Sequence, residues 1–220
     1  MAGLERLTLG HIGPTGTVLC LGAHCDDIEI GCGATLVDLV RRWPELDFHV
    51  LIFCSQPGRE QESRLSLATL LGQQAKLTFH FGVLRDSYLP YQAVEAKEYL
   101  TSEVGKLAPD LIFTHNREDL HQDHRFVGEV TYQVFRAGLV LEMEIPKYDG
   151  DMGKPNVYFP ATEIAADHKV STLMSAYPSQ LEKDWFSEET FRAIMRLRGL
   201  ECRSDTGLAE AFYASKIVVA

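Results

Sequence analysis

Short apolar runs alternate with stretches of helical periodicity over roughly the first 135 residues. Four apolar runs are predicted strands, at residues 17–22, 48–54, 77–81 and 110–115. Between and after them, apolar side chains recur every three or four positions, which predicts helices at residues 34–42, 59–71, 94–107 and 124–135. Continuously apolar strands separated by helices indicate a mostly parallel sheet covered on both faces, so we predict an α/β fold of the Rossmann-like, doubly wound kind.

The alternation of apolar runs with helical periodicity ends after Leu141. Residues 142–160 are rich in Pro, Gly and aromatic side chains, which predicts an irregular loop or connector. Helices are predicted again at residues 165–176 and 188–197, and a last strand at residues 215–219. We expect residues 1–220 to form one domain whose last third elaborates the substrate side.

Charge and cysteine content limit the partners and the compartment. The net charge of −10, from 21 basic and 31 acidic residues, argues against nucleic-acid binding, which requires clustered Lys and Arg. No apolar run approaches the roughly 20 residues of a transmembrane helix, and the N-terminus lacks a signal-peptide pattern. Five cysteines without a CxxC pair indicate reduced thiols rather than a zinc site. We therefore expect a cytoplasmic protein with a small-molecule substrate, and a homo-oligomer is left open.

Candidate chemistry follows the first and fourth predicted strands. Residues 23–29 (AHCDDIE) follow the first strand, and Asp119, His121, Asp123 and His124 come after the fourth. Ligands of such sheets bind at the carboxyl ends of strands, and these two strands commonly flank the switch point. Two His and one Asp would form a catalytic type of zinc site, although iron or another divalent metal is also compatible. Alternatively, the Asp pair is a turn that caps a helix and the histidines are solvated.

The adjacent pair Asp26 and Asp27 suggests a division of roles. Neighbouring side chains on a turning backbone do not usually point in the same direction. One carboxylate can therefore bind the metal while the other faces the attacking water as a base. Metal-assisted hydrolysis requires this combination.

Two motifs resemble those of a known family. Residues 24–29 (HCDDIE) look like the HPDDxE signature of the LmbE-like, or PIG-L, deacetylases, and residues 121–124 (HQDH) look like the second motif of that family. Residues 175–180 (SAYPSQ) and 209–212 (AEAF) are also similar, so the resemblance covers nearly the whole chain. Cys25 stands where the family usually has Pro, which would fix φ near about −65°. Whether this replacement alters activity is left open.

The resemblance implies a zinc-dependent enzyme that removes the acetyl group from an N-acetylated amino sugar or its conjugate. It assigns His24, Asp27 and His124 as ligands of one Zn²⁺ and Asp26 as the general base. It makes His121 the group that faces the developing oxyanion, a role that a protonated imidazole would fill better. The identity of the sugar and of its attached group stays open.

Further residues are candidates for supporting the ligands or for binding the substrate: Glu29, Arg64, Asn116, Asp123, Tyr148, Asp149 and Gln180. Asp123 could hold His121 in its charged form. Each candidate also has a plainer interpretation. Glu29 is equally well an acid at a helix N-terminus, Arg64 and Arg59 fit a solvated helix face, and Tyr148 fits an exposed turn. We interpret His115 as an ordinary packed histidine.

Other functional classes fit the sequence less well. A dinucleotide-binding module would carry GxGxxG after the first strand, whereas Asp26 and Asp27 would repel a pyrophosphate. A two-metal phosphoesterase would need more ligands than these. The remaining alternative is a non-catalytic or differently specific Rossmann-like protein that binds a sugar or a nucleotide.

Overall fold

A computed structural model describes residue 9 and residues 12–218 of the chain. The strands are β1 (Thr17–Gly22), β2 (Asp47–Ile52), β3 (Lys76–Phe81), β4 (Leu111–His115), β5 (Leu139–Met143), β6 (Val157–Pro160) and β7 (Ala209–Tyr213). The α-helices are α1 (Asp27–Arg42), α2 (Pro57–Leu71), α3 (Ala93–Val104), α4 (Gln122–Val134), α5 (Glu163–Ala176) and α6 (Glu188–Glu201). Short 3₁₀ helices lie at Leu89–Gln92 and Pro178–Gln180.

The strands form one seven-stranded sheet in the order β3-β2-β1-β4-β5-β7-β6. Strands β1 to β5 are parallel, and β7 runs antiparallel to both β5 and β6. The predicted α/β fold is therefore confirmed. Strands β2 and β3 are added on one side of β1, and β4 and β5 on the other. The topological switch point therefore lies between β1 and β4, where the predicted site is located.

Helices cover both faces of this sheet. Alternate side chains of β1 point to opposite faces, so that Val18 belongs to the core beneath α1, α2, α5 and α6 and Leu19 to the core beneath α3 and α4. Burial on both faces explains why the central strands are continuously apolar. Within the part of the chain that the structure describes, no helix combines the length and hydropathy needed to cross a bilayer.

The first helix begins earlier than its periodicity predicts, at Asp27 instead of residue 34. Asp27 and Glu29 lie in its first turn, where negative charge is favoured by the helix dipole. The predicted irregular segment, residues 142–160, includes the end of β5 and all of β6. The residues between these strands are irregular, as expected.

The strand predicted at residues 215–219 is wrong. The last strand is β7, and residues 215–218 form no strand, while Val219 lies outside the described residues. β7 carries a buried Glu210 whose Oε1 lies 2.6 Å from Lys169 Nζ on α5. The charged Glu210 interrupts the apolar pattern by which a buried strand is recognised, so β7 was not predicted. Ile217 and Val218 fit that pattern by their apolar side chains, but they are 50% and 92% exposed.

Candidate metal centre

The carboxyl ends of β1 and β4 bring the two motifs together. Strand β1 continues into a short turn that enters α1 at Asp27, and the loop after β4 enters α4 with His121 at its N-cap. His24, Asp27 and His124 each offer one ligand atom, and these atoms lie within 4.8 Å of one another. The predicted convergence of the first and fourth strand ends is therefore present in the structure.

Three donor atoms face one another at the centre of this cluster. His24 Nδ1 lies 3.2 Å from His124 Nε2 and 3.5 Å from Asp27 Oδ2, and His124 Nε2 lies 3.4 Å from Asp27 Oδ1. Asp27 and His124 are buried, and His24 is partly exposed. Two imidazoles, one of them partly exposed, and one carboxylate make a donor set of the catalytic zinc type.

The second nitrogen of each imidazole faces a carboxylate. His124 Nδ1 is hydrogen-bonded to Asp119 Oδ2 at 3.0 Å. His24 Nε2 lies 3.2 Å from Asp86 Oδ1, without the alignment of a regular hydrogen bond. Metal-bound histidines typically have such partners, because a carboxylate orients the ring and increases its basicity. The residues present therefore fit a divalent metal.

Two other groups also bring three possible ligand atoms together: His24, His121 and Asp123, and His115, Asp119 and His124. The carboxylates of all three groups accept hydrogen bonds, and Asp27 accepts one from the backbone N–H of His24 at 2.7 Å. Asp123 accepts hydrogen bonds from two backbone amides of the loop after β3, and Asp119 accepts one from His124. We take the group of His24, Asp27 and His124 as the candidate because it is the set that the resemblance of the two motifs assigns as ligands.

The electrostatics of this group favour bound positive charge. Burial opposes protonation of His24, but nearby carboxylates, Asp27 foremost, raise the pKa of its imidazole well above the ordinary value. Burial also favours the neutral form of Asp27, yet the surrounding imidazoles, led by His124, lower its pKa well below the usual range. A divalent cation would take the place of the protons that these contacts favour.

Asp26 lies beside the group and pairs with a residue that the sequence assigned to a solvated helix face. It occupies the N-cap position of α1, but its side chain makes no capping hydrogen bond. Instead, Asp26 Oδ1 lies 3.0 Å from Arg59 NH2. Glu62 and Ser179 hold the guanidinium, which also lies over the ring of Tyr177. Arg59 therefore belongs to the centre.

His121 packs against both ligand imidazoles, with ring centroids 5.1 Å from His24 and 4.5 Å from His124. Its Nδ1 accepts a hydrogen bond from the backbone N–H of Asp123, so the proton of the neutral ring is on Nε2. Burial and the neighbouring imidazoles lower the pKa of His121. The idea that Asp123 keeps His121 charged is therefore not supported, because these surroundings favour the neutral imidazole.

His115 is packed, as interpreted from sequence, but it also contacts the ligands. Its Nε2 lies 3.0 Å from Asp27 Oδ2, and its ring stacks on His124 at a centroid distance of 4.0 Å. Burial lowers the pKa of His115 to about 4, so its ring is neutral. Because His115 is the last residue of β4, its place in the sequence could have indicated a position beside the metal centre.

Glu29 supports the turn between β1 and α1 and does not touch the ligand nitrogens in any contact described. Its Oε1 lies 2.6 Å from Tyr177 Oη, which lies 2.6 Å from the carbonyl oxygen of Cys25. A tyrosine has one proton and can donate it to only one of these oxygens. Burial raises the pKa of Glu29 to about 8, and a neutral Glu29 that donates to Tyr177 satisfies both contacts.

Cys25, which replaces the proline of the family motif, is only 1% exposed. Burial raises the pKa of its thiol to about 12, so it is protonated at neutral pH. Its Sγ lies 4.0 Å from the carbonyl oxygen of Cys54 and belongs to none of the groups of possible metal ligands. These contacts agree with a small, tolerated residue.

Two of the remaining candidates make local contacts. Arg64 pairs with Glu60 and lies over the ring of Phe81 on β3. Asn116 Oδ1 accepts a hydrogen bond from the backbone N–H of Glu118 and so forms a turn. Neither contact involves the ligand group.

The last three candidates differ in burial. Gln180 is buried and donates to Ser179 Oγ, which in turn contacts Arg59, so it lies behind the Asp26 pair. Tyr148 is 72% exposed, and Asp149 is exposed beside it. Their roles in substrate binding stay predictions.

Comparisons with known proteins identify one family and a sequence relative. The profile of the PIG-L family, described as GlcNAc-PI de-N-acetylase, matches residues 19–135, which is more than half of the chain. The uncharacterized deacetylase YaiS of Escherichia coli (strain K12) is 27% identical over 158 residues, which cover 67% of this chain and 79% of YaiS.

Solved structures share the fold at low identity. The N,N′-diacetylchitobiose deacetylase of Pyrococcus horikoshii matches with a TM-score of 0.69 and 19% identity, over 93% of this chain and 85% of that chain. GalB, the 4-carboxy-2-hydroxymuconate hydratase of Pseudomonas putida KT2440, matches with a TM-score of 0.67 and 12% identity, over 93% and 98%. Because a hydratase shares the fold, the fold alone does not determine the reaction.

Proposed function

The chain belongs to the PIG-L family, and from this premise and the geometry of the centre we propose that it is a zinc-dependent N-deacetylase. The observation that carries the proposal is the convergence of His24, Asp27 and His124 next to Asp26, which is buried and whose side chain makes no capping hydrogen bond to α1. Two imidazoles and a carboxylate suit zinc, and Fe²⁺ is the nearest alternative.

Asp26 is the proposed general base. Zinc in this position supplies Lewis acidity, which acidifies water and polarises a carbonyl group. Arg59 holds Oδ1 of Asp26, which orients the carboxylate and leaves its second oxygen to accept a proton from the attacking water. The water oxygen bonds to the acetamide carbon, the C–N bond breaks, and the proton on Asp26 passes to the leaving amine. The products are acetate and a free amine.

His121 is the proposed donor to the carbonyl oxygen. Its Nδ1 is occupied by a backbone N–H, so its Nε2–H is the group available for an oxygen that becomes negatively charged during attack. A fixed donor of this kind contributes about 3–4 kcal/mol to stabilisation of the transition state. A neutral imidazole can supply this donor without having to gain a proton first.

We propose an N-acetylated amino sugar or its conjugate as the substrate. The family description names an N-acetylglucosamine conjugate, and the Pyrococcus relative is a deacetylase of a diacetylated disaccharide. A non-catalytic binding protein is the weaker alternative: the ion pair of Asp26 with Arg59 and the packing of His121 on His124 support a catalytic role for both residues.

The proposal is tested with a panel of acetylated amino sugars, including N-acetylglucosamine and N,N′-diacetylchitobiose. The zinc-loaded protein should release equal amounts of acetate and free amine from at least one member. Asp26→Asn should keep its zinc and lose about 10²–10⁴-fold in turnover, because the base is removed. Asp184→Asn, which changes an exposed acid, is the matched control and should retain activity.

One result would contradict the proposed function, and a second would contradict only the role of Asp26. Release of no amine from any member of the panel by a zinc-loaded protein would contradict deacetylation of amino sugars. Normal turnover by Asp26→Asn would remove Asp26 from the role of base, even if deacetylation itself is observed.

A further inference from the structure

We propose that Lys147 is a positioning residue that couples the loop of residues 147–151 to the metal ligand His124 through Asp119. The inference rests on the proposed metal centre and extends it to a residue to which the sequence analysis assigned no role. It follows from three consecutive contacts that begin at the ligand and end in the loop.

Asp119 contacts both the proposed metal ligand His124 and the backbone at the N-terminus of α4. Its Oδ2 accepts a hydrogen bond from His124 Nδ1 at 3.0 Å, and its Oδ1 accepts one from the backbone N–H of His121 at 2.7 Å. Only 4% of the Asp119 side chain is exposed. One carboxylate therefore orients a metal ligand and the start of the helix that carries it.

Lys147 completes the contacts of Asp119 from the other side. Its Nζ lies 2.9 Å from Asp119 Oδ1 and 2.8 Å from Asp151 Oδ2. Burial opposes a charge on Lys147, whose side chain is 8% exposed, but Asp151 and Asp119 raise the pKa of its ammonium above the ordinary value. Lys147 is thus a buried cation held between two carboxylates.

Asp151 attaches the loop to the same region. Its Oδ2 also accepts a hydrogen bond from the backbone N–H of Leu120, the residue after Asp119. The loop between Lys147 and Asp151 carries the exposed Tyr148. The position of this loop relative to the metal centre is therefore fixed by one ammonium group and the two acids that it joins.

Removal of the ammonium should disturb the ligand. Asp119 and Asp151 would remain as two buried like charges with no cation between them, so their carboxylates would move apart. This movement weakens the hydrogen bond from His124 Nδ1 to Asp119. Loss of a partner that orients a ligand typically costs 10–100-fold in metal affinity.

The test measures the zinc affinity of purified protein by competition with a chromophoric chelator, independently of turnover. Lys147→Met should bind zinc about 10-fold more weakly than the wild type, toward the lower end of this range because Lys147 acts through Asp119. Lys147→Arg should restore most of the affinity, because it keeps the positive charge. Lys154→Met is the matched control, since Lys154 is an exposed lysine of the same segment, and it should bind zinc as the wild type does.

Three results would overturn the inference: unchanged zinc affinity in Lys147→Met, an equal loss in Lys154→Met, or a loss in Lys147→Arg as large as in Lys147→Met. If Lys147→Met does not fold, Asp151→Asn replaces it and should also weaken zinc binding; unchanged affinity would again overturn the inference. A wild-type protein that binds no zinc would instead refute the metal centre itself, and the inference with it.

Discussion

His24 Nδ1 and His124 Nε2 lie 3.2 Å apart, although 100 positions separate the two residues in the chain. The turn after β1 delivers one ring, and the first turn of α4 delivers the other. Each ring has a carboxylate behind its second nitrogen, Asp86 for His24 and Asp119 for His124. The two inner nitrogens therefore face a common point that a metal ion can occupy together with Asp27.

Removal of metal should lower the stability of the protein. A ligand that binds only the folded state stabilises it by about 2.7 kcal/mol when its concentration is 100 times Kd. Chelation should therefore lower Tm by several degrees, and one equivalent of zinc should restore it. The measurement is a thermal melt of the chelated protein with and without added zinc.

A ligand variant and a control variant test this assignment. His124→Ala should show no increase in Tm with zinc, whereas His168→Ala, whose imidazole contacts the carbonyl oxygen of Thr69 on α2, should respond as the wild type does. A zinc-dependent increase in Tm that survives in His124→Ala would place the metal elsewhere.

His121→Ala should separate chemistry from metal binding. Loss of a donor to the developing oxyanion should lower kcat by about 10²–10³-fold. Zinc affinity should change little, because His121 contacts the ligand rings without belonging to the group of His24, Asp27 and His124. Steady-state kinetics and zinc competition on the same preparation measure both quantities. An unchanged kcat would exclude His121 from this role.

Glu29 should make stability depend on pH. Its pKa in the folded protein is about 8, above the value of 4.5 for an exposed Glu, because it is buried. The folded state therefore binds this proton more tightly, so the contribution of Glu29 is complete below about pH 4.5 and is lost as the pH rises through about 8. The expected slope within this window is roughly 1.4 kcal/mol per pH unit.

Urea unfolding of wild type and Glu29→Gln between pH 5 and pH 8 isolates this contribution. The amide of Gln can donate to Tyr177 Oη at every pH, so the stability of Glu29→Gln should fall less as the pH rises. Metal-free protein should be used for both variants, so that zinc binding does not add to the slope. Parallel pH profiles for the two proteins would show that Glu29 does not titrate in this range.

The sequence predicted the parts of the molecule in which local pattern and burial agree. The central parallel strands are apolar because both faces are covered, so β1 to β4 were found within one or two residues. The convergence of the two motifs was predicted because the carboxyl ends of β1 and β4 meet at the switch point, whereas the assignment of the three ligands came from the resemblance of the motifs to a family. The last strand was missed because Glu210 is stabilised by Lys169, a contact between distant segments that no local pattern contains.

The supporting residues of the centre could not be predicted for a similar reason. Arg59 looks like any charged residue of an amphipathic helix until Asp26 is placed 3.0 Å from it. Asp86 and Lys147 lie in loops whose paths depend on tertiary contacts. Charged side chains are usually solvated, so only the three-dimensional arrangement distinguishes these from the rest.

Gly199 of α6 should be intolerant of any side chain. A Cβ at this position would lie far inside van der Waals contact with the backbone of Gly207 and Leu208. Backbone atoms cannot move aside as a flexible side chain can, so Gly199→Ala should destabilise the protein by about 1–3 kcal/mol or more. The matched control is Gly58, the second residue of α2, where an added Cβ meets nothing within 4 Å, and Gly58→Ala should instead stabilise the protein by about 0.4–1 kcal/mol. Urea unfolding of both variants measures the two changes. An equal stabilisation by both substitutions would contradict the close approach of α6 to the segment that precedes β7.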